Sequence, residues 1–172
     1  MTTYETMLKR RSCKKYKSDA VPEEFIEKVI TAGLYAASGL NRQAPIIIAV
    51  TDKETRDAIS RHNAKILGKS GFDPFYNAPV VFVVLADKAC NTYIYDGSLT
   101  LGNMMLAAEE CGLGSCWVHR AKEEFESEEG KALLKKLGIT GDYEGIGHLL
   151  LGYSDEGEKV APPRKENRVY RI

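Results

Sequence analysis

Val80-Val81-Phe82-Val83-Val84-Leu85-Ala86 is an uninterrupted run of seven apolar residues in a chain of 172. Most are β-branched or aromatic, and no polar residue alternates with them. A strand of this kind has no face to give to water, so it must be covered on both sides. The run is also far too short to span a bilayer. Ile46-Ile47-Ile48-Ala49-Val50 repeats the signal and reads as a second strand covered on both faces. Ser115-Cys116-Trp117-Val118 and Ile146 to Leu151 read as further strands, the latter ending at Gly152.

Helical segments lie between them. Thr2-x-x-Glu5 has the spacing of a capping box and predicts a short helix to about Arg11. Pro22 followed by Glu23 and Glu24 predicts a helix start, with Phe25, Ile26, Val29, Ile30 and Gly33 at helical spacing. Thr51-x-x-Glu54 predicts a second capping box and a helix from about Lys53 to His62. Lys65 to Asn77, with Gly68, Gly71 and Pro74, reads as a loop or broken helix. Tyr93 to Cys111 is apolar around most of its circumference, which predicts a helix in the core ended by Gly112. Ser127 predicts a cap for a helix carrying Leu133, Leu134 and Leu137, with Gly138 as its stop. Arg168-Val169-Tyr170-Arg171-Ile172 alternates like a strand, on a tail too poor in apolar residues to fold alone. The sum is a layered α/β arrangement with helices on both faces of a sheet. The length predicts a single domain over residues 1–172.

Composition excludes several classes. The 24 Lys and Arg balance the 24 Asp and Glu, so net charge predicts no nucleic-acid partner. The four cysteines form no CxxC pair and no zinc spacing. They read as reduced thiols. Met1-Thr2-Thr3-Tyr4-Glu5 lacks an apolar signal stretch, so the expectation is a cytoplasmic protein with no membrane contact. His62, His119 and His148 sit in separate elements and make no metal set; each reads as an ordinary, partly buried histidine. No GxGxxG, P-loop or GxSxG motif occurs.

Two stretches carry chemistry. Lys9 to Lys17 is dense in cations and has no acid. A solvated surface is the plain reading, but Arg10, Ser12 and Lys14 alternate in phase and can grip a phosphate. Ser38-x-x-Asn41-x-Gln43 gathers hydroxyl and amide groups between a helix and a buried strand. Turn and cap chemistry explains it in part; reading a heteroaromatic edge is the functional alternative.

Arg10-Arg11-Ser12-Cys13-Lys14 followed by Ser38-x-x-Asn41-x-Gln43 resembles the nitroreductase family of FMN-dependent oxidoreductases. Asn77-Ala78-Pro79 before an apolar strand, Gly112-Leu113-Gly114-Ser115-Cys116-Trp117 after a core helix, and the late Arg164-Lys165 are similar to that family in the same order. The resemblance implies an α+β, layered fold with a central mixed sheet flanked by helices and a C-terminal tail exchanged between subunits. It implies a homodimer with FMN in two sites at the subunit interface. Arg10, Arg11, Ser12 and Lys14 match the arm that binds the phosphate and flavin. Ala37, Ser38, Gly39, Asn41 and Gln43 match the loop that reaches the flavin from the other subunit. Arg164 and Lys165 match the late cations on the phosphate. Trp117, Val118 and His119 fall where backbone passes beside flavin N5. Asn63 corresponds to a polar residue near the ring. Arg120 stands where a small residue such as glycine is frequent and borders the substrate. Gln43-Ala44-Pro45 replaces the family's frequent Gln-Pro-Trp.

The activity this implies is ping-pong hydride transfer from NAD(P)H, a transient co-substrate, through flavin N5 to a small acceptor such as a nitroaromatic or quinone. Lys14 is expected near flavin N1–O2, and no side-chain acid or metal is expected to take part. Three alternatives stand beside it: a non-enzymatic flavin sensor or storage module of the same fold, a protein that binds a phosphate ligand or an acidic partner through the basic arm alone, and a thiol enzyme built on Cys116.

Overall fold

The computed structural model describes residues 2–172. Helix α1 (Thr3–Lys9) starts from the Thr2/Glu5 capping box, with both reciprocal hydrogen bonds formed. An extended segment leads to α2 (Glu23–Leu34), entered at Pro22. A tight turn at Gly39–Asn41 precedes β1 (Pro45–Val50). Then follow α3 (Lys53–Ile66), β2 (Val80–Asp87), α4 (Tyr93–Glu110), β3 (Gly114–Val118), α5 (Ala121–Glu126), α6 (Glu128–Lys136) and β4 (Tyr143–Gly152).

The sheet order is β1-β2-β4-β3, and every pairing between these strands is antiparallel. The parallel component of the expected mixed sheet is one bridge, Ser12 to Ser115. Two-sided cover, not strand direction, accounts for the long apolar run. Val81, Val83 and Leu85 of β2 enter one core cluster with Ile59, Phe75 and Phe125. Val80, Phe82, Val84 and Ala86 enter another with Val29, Leu101 and Met104. Successive side chains of a strand alternate between faces, so a run apolar at every position supplies both cores. Full burial of each of its larger side chains contributes roughly 1.5–3 kcal/mol.

Several expectations are corrected. β1 is the sheet edge, so most of it is half-buried, with Ala49 exposed. The cap of α3 is Asp52, whose carboxylate accepts from the Thr55 N–H at 2.8 Å; an aspartate also complements the helix dipole, unlike Thr51. That helix runs four residues past His62, carrying Asn63 inward. Ser127 caps α6 as expected, and Gly112 and Gly138 adopt φ of +72° and +71° at their helix ends. Helix α5 had no sequence signal. Helix α4 is not wholly in the core, since Tyr95 and Leu99 are 71 % and 50 % exposed. Residues 168–172 form no strand, and residues 157–172 are exposed throughout. Among the described residues no helix is long and apolar enough to cross a membrane.

Candidate functional site

The basic arm begins where α1 stops. Arg10 is the C-cap, and its N–H returns to Thr6 O at 2.9 Å. The chain then runs extended along β3, with the Cys13 N–H donating to Ser115 O at 2.9 Å. Cys13 points into the core, while Ser12 and Lys14 on either side face solvent. That is the alternation expected of the arm. Arg10 and Arg11 are half-buried, and Arg10 Nη1 and Arg11 Nε are buried without a hydrogen-bond partner among the described residues. Buried donors are nearly always paired, and two guanidinium nitrogens left open beside an exposed hydroxyl and ammonium suit a phosphate. Arg11 and Ser12 line a cleft of about 390 Å³ together with Lys9, Glu109 and Lys159.

Two residues of this region carried no signal in the sequence. Glu156 accepts the Lys14 N–H at 2.8 Å, and Lys159 donates to Ser12 O at 2.8 Å and to Glu156 at 2.7 Å. They lie more than 140 positions along the chain, so only the folded structure pairs them with the arm.

The second stretch is a constrained loop. Ser38 Oγ accepts the Gln43 N–H at 3.0 Å. Leu40, Asn41 and Gln43 adopt φ of +53°, +53° and +52°, three left-handed residues without a glycine. Each costs about 1–3 kcal/mol and persists only when its surroundings over-determine it. Asp96, buried on α4, does much of this: it accepts the Gly39 N–H at 3.1 Å and the Thr92 hydroxyl at 2.9 Å. A side chain at position 39 would meet Thr92 Oγ1 at 2.3 Å, so the turn needs glycine. Ser38 and Gly39 are half-buried, and Ala37, Asn41 and Gln43 are exposed. Ala37, Ser38, Asn41 and Gln43 line a cleft of about 530 Å³ with Tyr35 and Thr100. No residue of this cleft lines the arm's cleft. Within one chain the two halves of the expected site therefore line separate clefts.

At the end of β3, Trp117 lies against Gly147, where a Cβ would meet the indole Nε1 at 2.2 Å. Val118 is buried and His119 is exposed. Asn63 is fully buried and ties this corner together. Its Nδ2 donates to His119 O at 3.0 Å and to Glu124 Oε2 at 3.3 Å, and its Oδ1 accepts from Arg120 Nε at 3.0 Å. Glu124 Oε2 lies 2.8 Å from Nε2 of His148, which is entirely buried rather than partly so. Arg120 has φ of +79°, which explains why a small residue suits this position. Arg164 and Lys165 stand on the exposed tail, Arg164 donating to Pro162 O at 3.1 and 2.6 Å, and among the described residues neither makes a hydrogen bond or ion pair to the arm.

Cys116 does not make a thiol nucleophile here. Burial pushes its thiol up from the ordinary 9.0, against the pull of Ser12 and Lys14. It points into the core, whereas His119 is exposed beyond the strand end.

An antiparallel sheet between helical layers, with a cationic arm lining one cleft and a strained amide loop lining another, defines an α+β fold. The sequence profile of the nitroreductase family matches residues 7–153, and the chain belongs to that family. A protein of Archaeoglobus fulgidus, provisionally named NADH dehydrogenase/NAD(P)H nitroreductase, is 33% identical over 149 residues, which is 84% of this chain and 80% of that protein. An FMN-dependent nitroreductase from Clostridium difficile R20291 superposes with a TM-score of 0.81 at 30% identity, covering 96% of both chains. The crystal structure of a nitroreductase with bound FMN from Bacteroides fragilis has the same fold, with a TM-score of 0.89 at 23% identity over 100% of this chain and 99% of that one.

Proposed function

We propose that this chain is an FMN-dependent oxidoreductase that carries two electrons from NAD(P)H to a small acceptor such as a nitroaromatic or a quinone. The donor and the acceptor use the same face in turn. The observation that carries the reading is the pair of buried, unpartnered guanidinium nitrogens on Arg10 and Arg11, next to exposed Ser12 and Lys14. Relatives named for FMN and NAD(P)H support it. Bound FMN supplies hydride transfer at its N5, so that a nitro group, NAD(P)H and one proton give a nitroso group, NAD(P)⁺ and water.

The chain's own residues then have separate tasks. Arg10, Arg11 and Ser12 hold the phosphate, and Lys14 brings a cation to the N1–O2 edge of the ring. Ala37, Ser38, Gly39, Asn41 and Gln43 approach the ring of a partner subunit with hydroxyl and amide groups. The Trp117–His119 backbone lies beside the ring. Arg164 and Lys165 add charge to the phosphate from a tail laid over the partner. Asn63 and Arg120 border the acceptor. The 1–172 chain works as one domain in a homodimer.

The dimer explains three features together. The arm and the loop line separate clefts within one chain. The tail buries nothing of its own: Val169 and Tyr170 are 73 % and 84 % exposed. Leu34, Tyr35, Leu40, Ile94, Tyr95 and Leu99 are exposed around the loop and on α4, an apolar area of the kind that marks an interface.

The purified protein is expected to be yellow, with about one FMN per chain, bleached anaerobically by NADH or NADPH and recoloured by a quinone. Protein that stays colourless after FMN is added refutes the reading. Protein that binds FMN but does not turn over NAD(P)H is a flavin sensor or storage module instead.

A further inference from the structure

Arg120 is held in an unusual way. It is not glycine, yet it adopts φ of +79° at the N-cap of α5. The left-handed conformation costs an L-residue about 1–2 kcal/mol. Its side chain is gripped from one edge only: Nε donates to Oδ1 of Asn63, which is itself fully buried. Both of the other Asn63 bonds, to His119 O and Glu124, are made by its amide nitrogen, and Glu124 leans on the buried His148. The guanidinium is thus anchored at Nε through a chain of buried groups. Its other edge is free. Nη1 and Nη2 donate to nothing among the described residues, and no carboxylate lies within ion-pair distance. The residue remains half-buried, directly after the Trp117–His119 segment.

A side chain needed only to satisfy Asn63 requires one donor. A planar fork held by Nε, with its terminal pair of nitrogens open, matches a carboxylate that accepts two parallel hydrogen bonds. We propose that Arg120 is a specificity residue for this reaction and that the acceptor is an aromatic compound bearing a carboxylate, gripped by the Nη1–Nη2 edge while another group of the molecule is reduced. Asn63 is the positioning residue. This inference rests on the oxidoreductase reading above.

The test uses the FMN-loaded protein with 4-nitrobenzoate and its neutral methyl ester, which carry the same reducible group. The native protein is expected to favour the acid in kcat/KM by on the order of tenfold or more, the scale of a charge-assisted bidentate contact. Arg120→Gln is expected to collapse the acid-to-ester ratio toward one, chiefly through KM for the acid, and Arg120→Lys to restore it in part. Asn63→Ala, which frees the guanidinium, is expected to lower the ratio less than Arg120→Gln. Benzoate, but not methyl benzoate, should compete with the acceptor in the native protein, a readout that needs no variant to fold. A native ratio near one, or a ratio unchanged in Arg120→Gln, overturns the proposal and leaves the oxidoreductase reading standing. So does a variant whose NADPH-to-NADH preference falls while the acid-to-ester ratio holds, since the free edge then belongs to the nicotinamide's phosphate. Failure to reduce either compound while NAD(P)H still bleaches the bound FMN and a quinone recolours it overturns this proposal alone, whereas failure of NAD(P)H to bleach the bound FMN overturns both.

Discussion

Gly39→Ala tests how the ring-facing loop is held. Gly39 has an ordinary φ, so alanine there meets no backbone penalty. The cost is steric and local. The new methyl would stand 2.3 Å from Thr92 Oγ1 and 3.0 Å from Thr92 Cγ2. The first is more than 1 Å inside the about 3.5 Å of a favourable contact. Turning Thr92 about χ1 relieves the overlap only by taking Oγ1 off Asp96, where it now donates at 2.9 Å. Overpacking costs roughly 1–3 kcal/mol. Losing a hydrogen bond to a buried carboxylate costs about 1.5–3 kcal/mol. Because the two are alternatives in part, the expected sum is about 2–4 kcal/mol, or about 5–15 °C in Tm for a chain of this size. Thr92→Ala alone is expected to cost about 1.5–3 kcal/mol. In the double variant the nearest atom left is the position-92 Cβ at 3.1 Å, a contact that yields with a small shift. The double-mutant cycle should therefore show about 1–2 kcal/mol of favourable coupling. FMN-free protein is unfolded in urea at fixed protein concentration, and FMN affinity is measured beside it. A Gly39→Ala variant within about 0.5 kcal/mol of native, or a cycle that is simply additive, would falsify the steric account of this turn.

Four further outcomes are expected. Asp73 accepts from Arg56 at 2.7 Å and from the Phe75 and Asn77 N–H groups at 2.9 and 2.6 Å; burial opposes its ionisation, but Arg56, Ser60 and these N–H groups outweigh it and hold the carboxyl below its ordinary 3.8. Its contribution is complete above that ordinary value and is lost as pH falls through the lower folded value, so Asp73→Asn should lose about 1–2 kcal/mol at pH 7 and show a flatter stability curve below pH 4 than native protein; equal curves in acid urea titrations would show that Asp73 does not set this loss. Leu99→Asp, placed on a half-exposed site of α4, should leave the protomer folded while halving its mass by light scattering and releasing FMN; an intact dimer would move the interface elsewhere. Deleting residues 161–172 should spare the fold of the protomer, because they are exposed throughout, yet loosen both dimer and FMN; undiminished FMN affinity would take Arg164 and Lys165 out of the site. Lys14→Ala should slow anaerobic reduction by NAD(P)H in stopped flow, and an unchanged rate would show that its cation does not act on the ring.

Local pattern and tertiary structure divide the account of this chain in an orderly way. Periodicity is a local property, so the strands around Val83 and Leu149 and the helices capped by Thr2, Pro22 and Ser127 were legible from neighbours a few residues apart. A run apolar at every position reported two covered faces. It did not report strand direction, since an antiparallel strand buried on both sides reads the same as a parallel one. The cap at Asp52 was missed because Thr51, one residue earlier, offered the same chemistry. The cationic arm and the amide loop were visible as residue types in the right order. What the residue types could not carry was distance. Asp96 beneath Gly39, Glu156 beside Lys14 and Asn63 clamping Arg120 are joined across more than 50 positions of chain. Such pairings follow from how the layers pack, not from any local preference. The separation of arm and loop into two clefts is likewise a product of packing, because both stretches are short and polar and their own residues set no path through space.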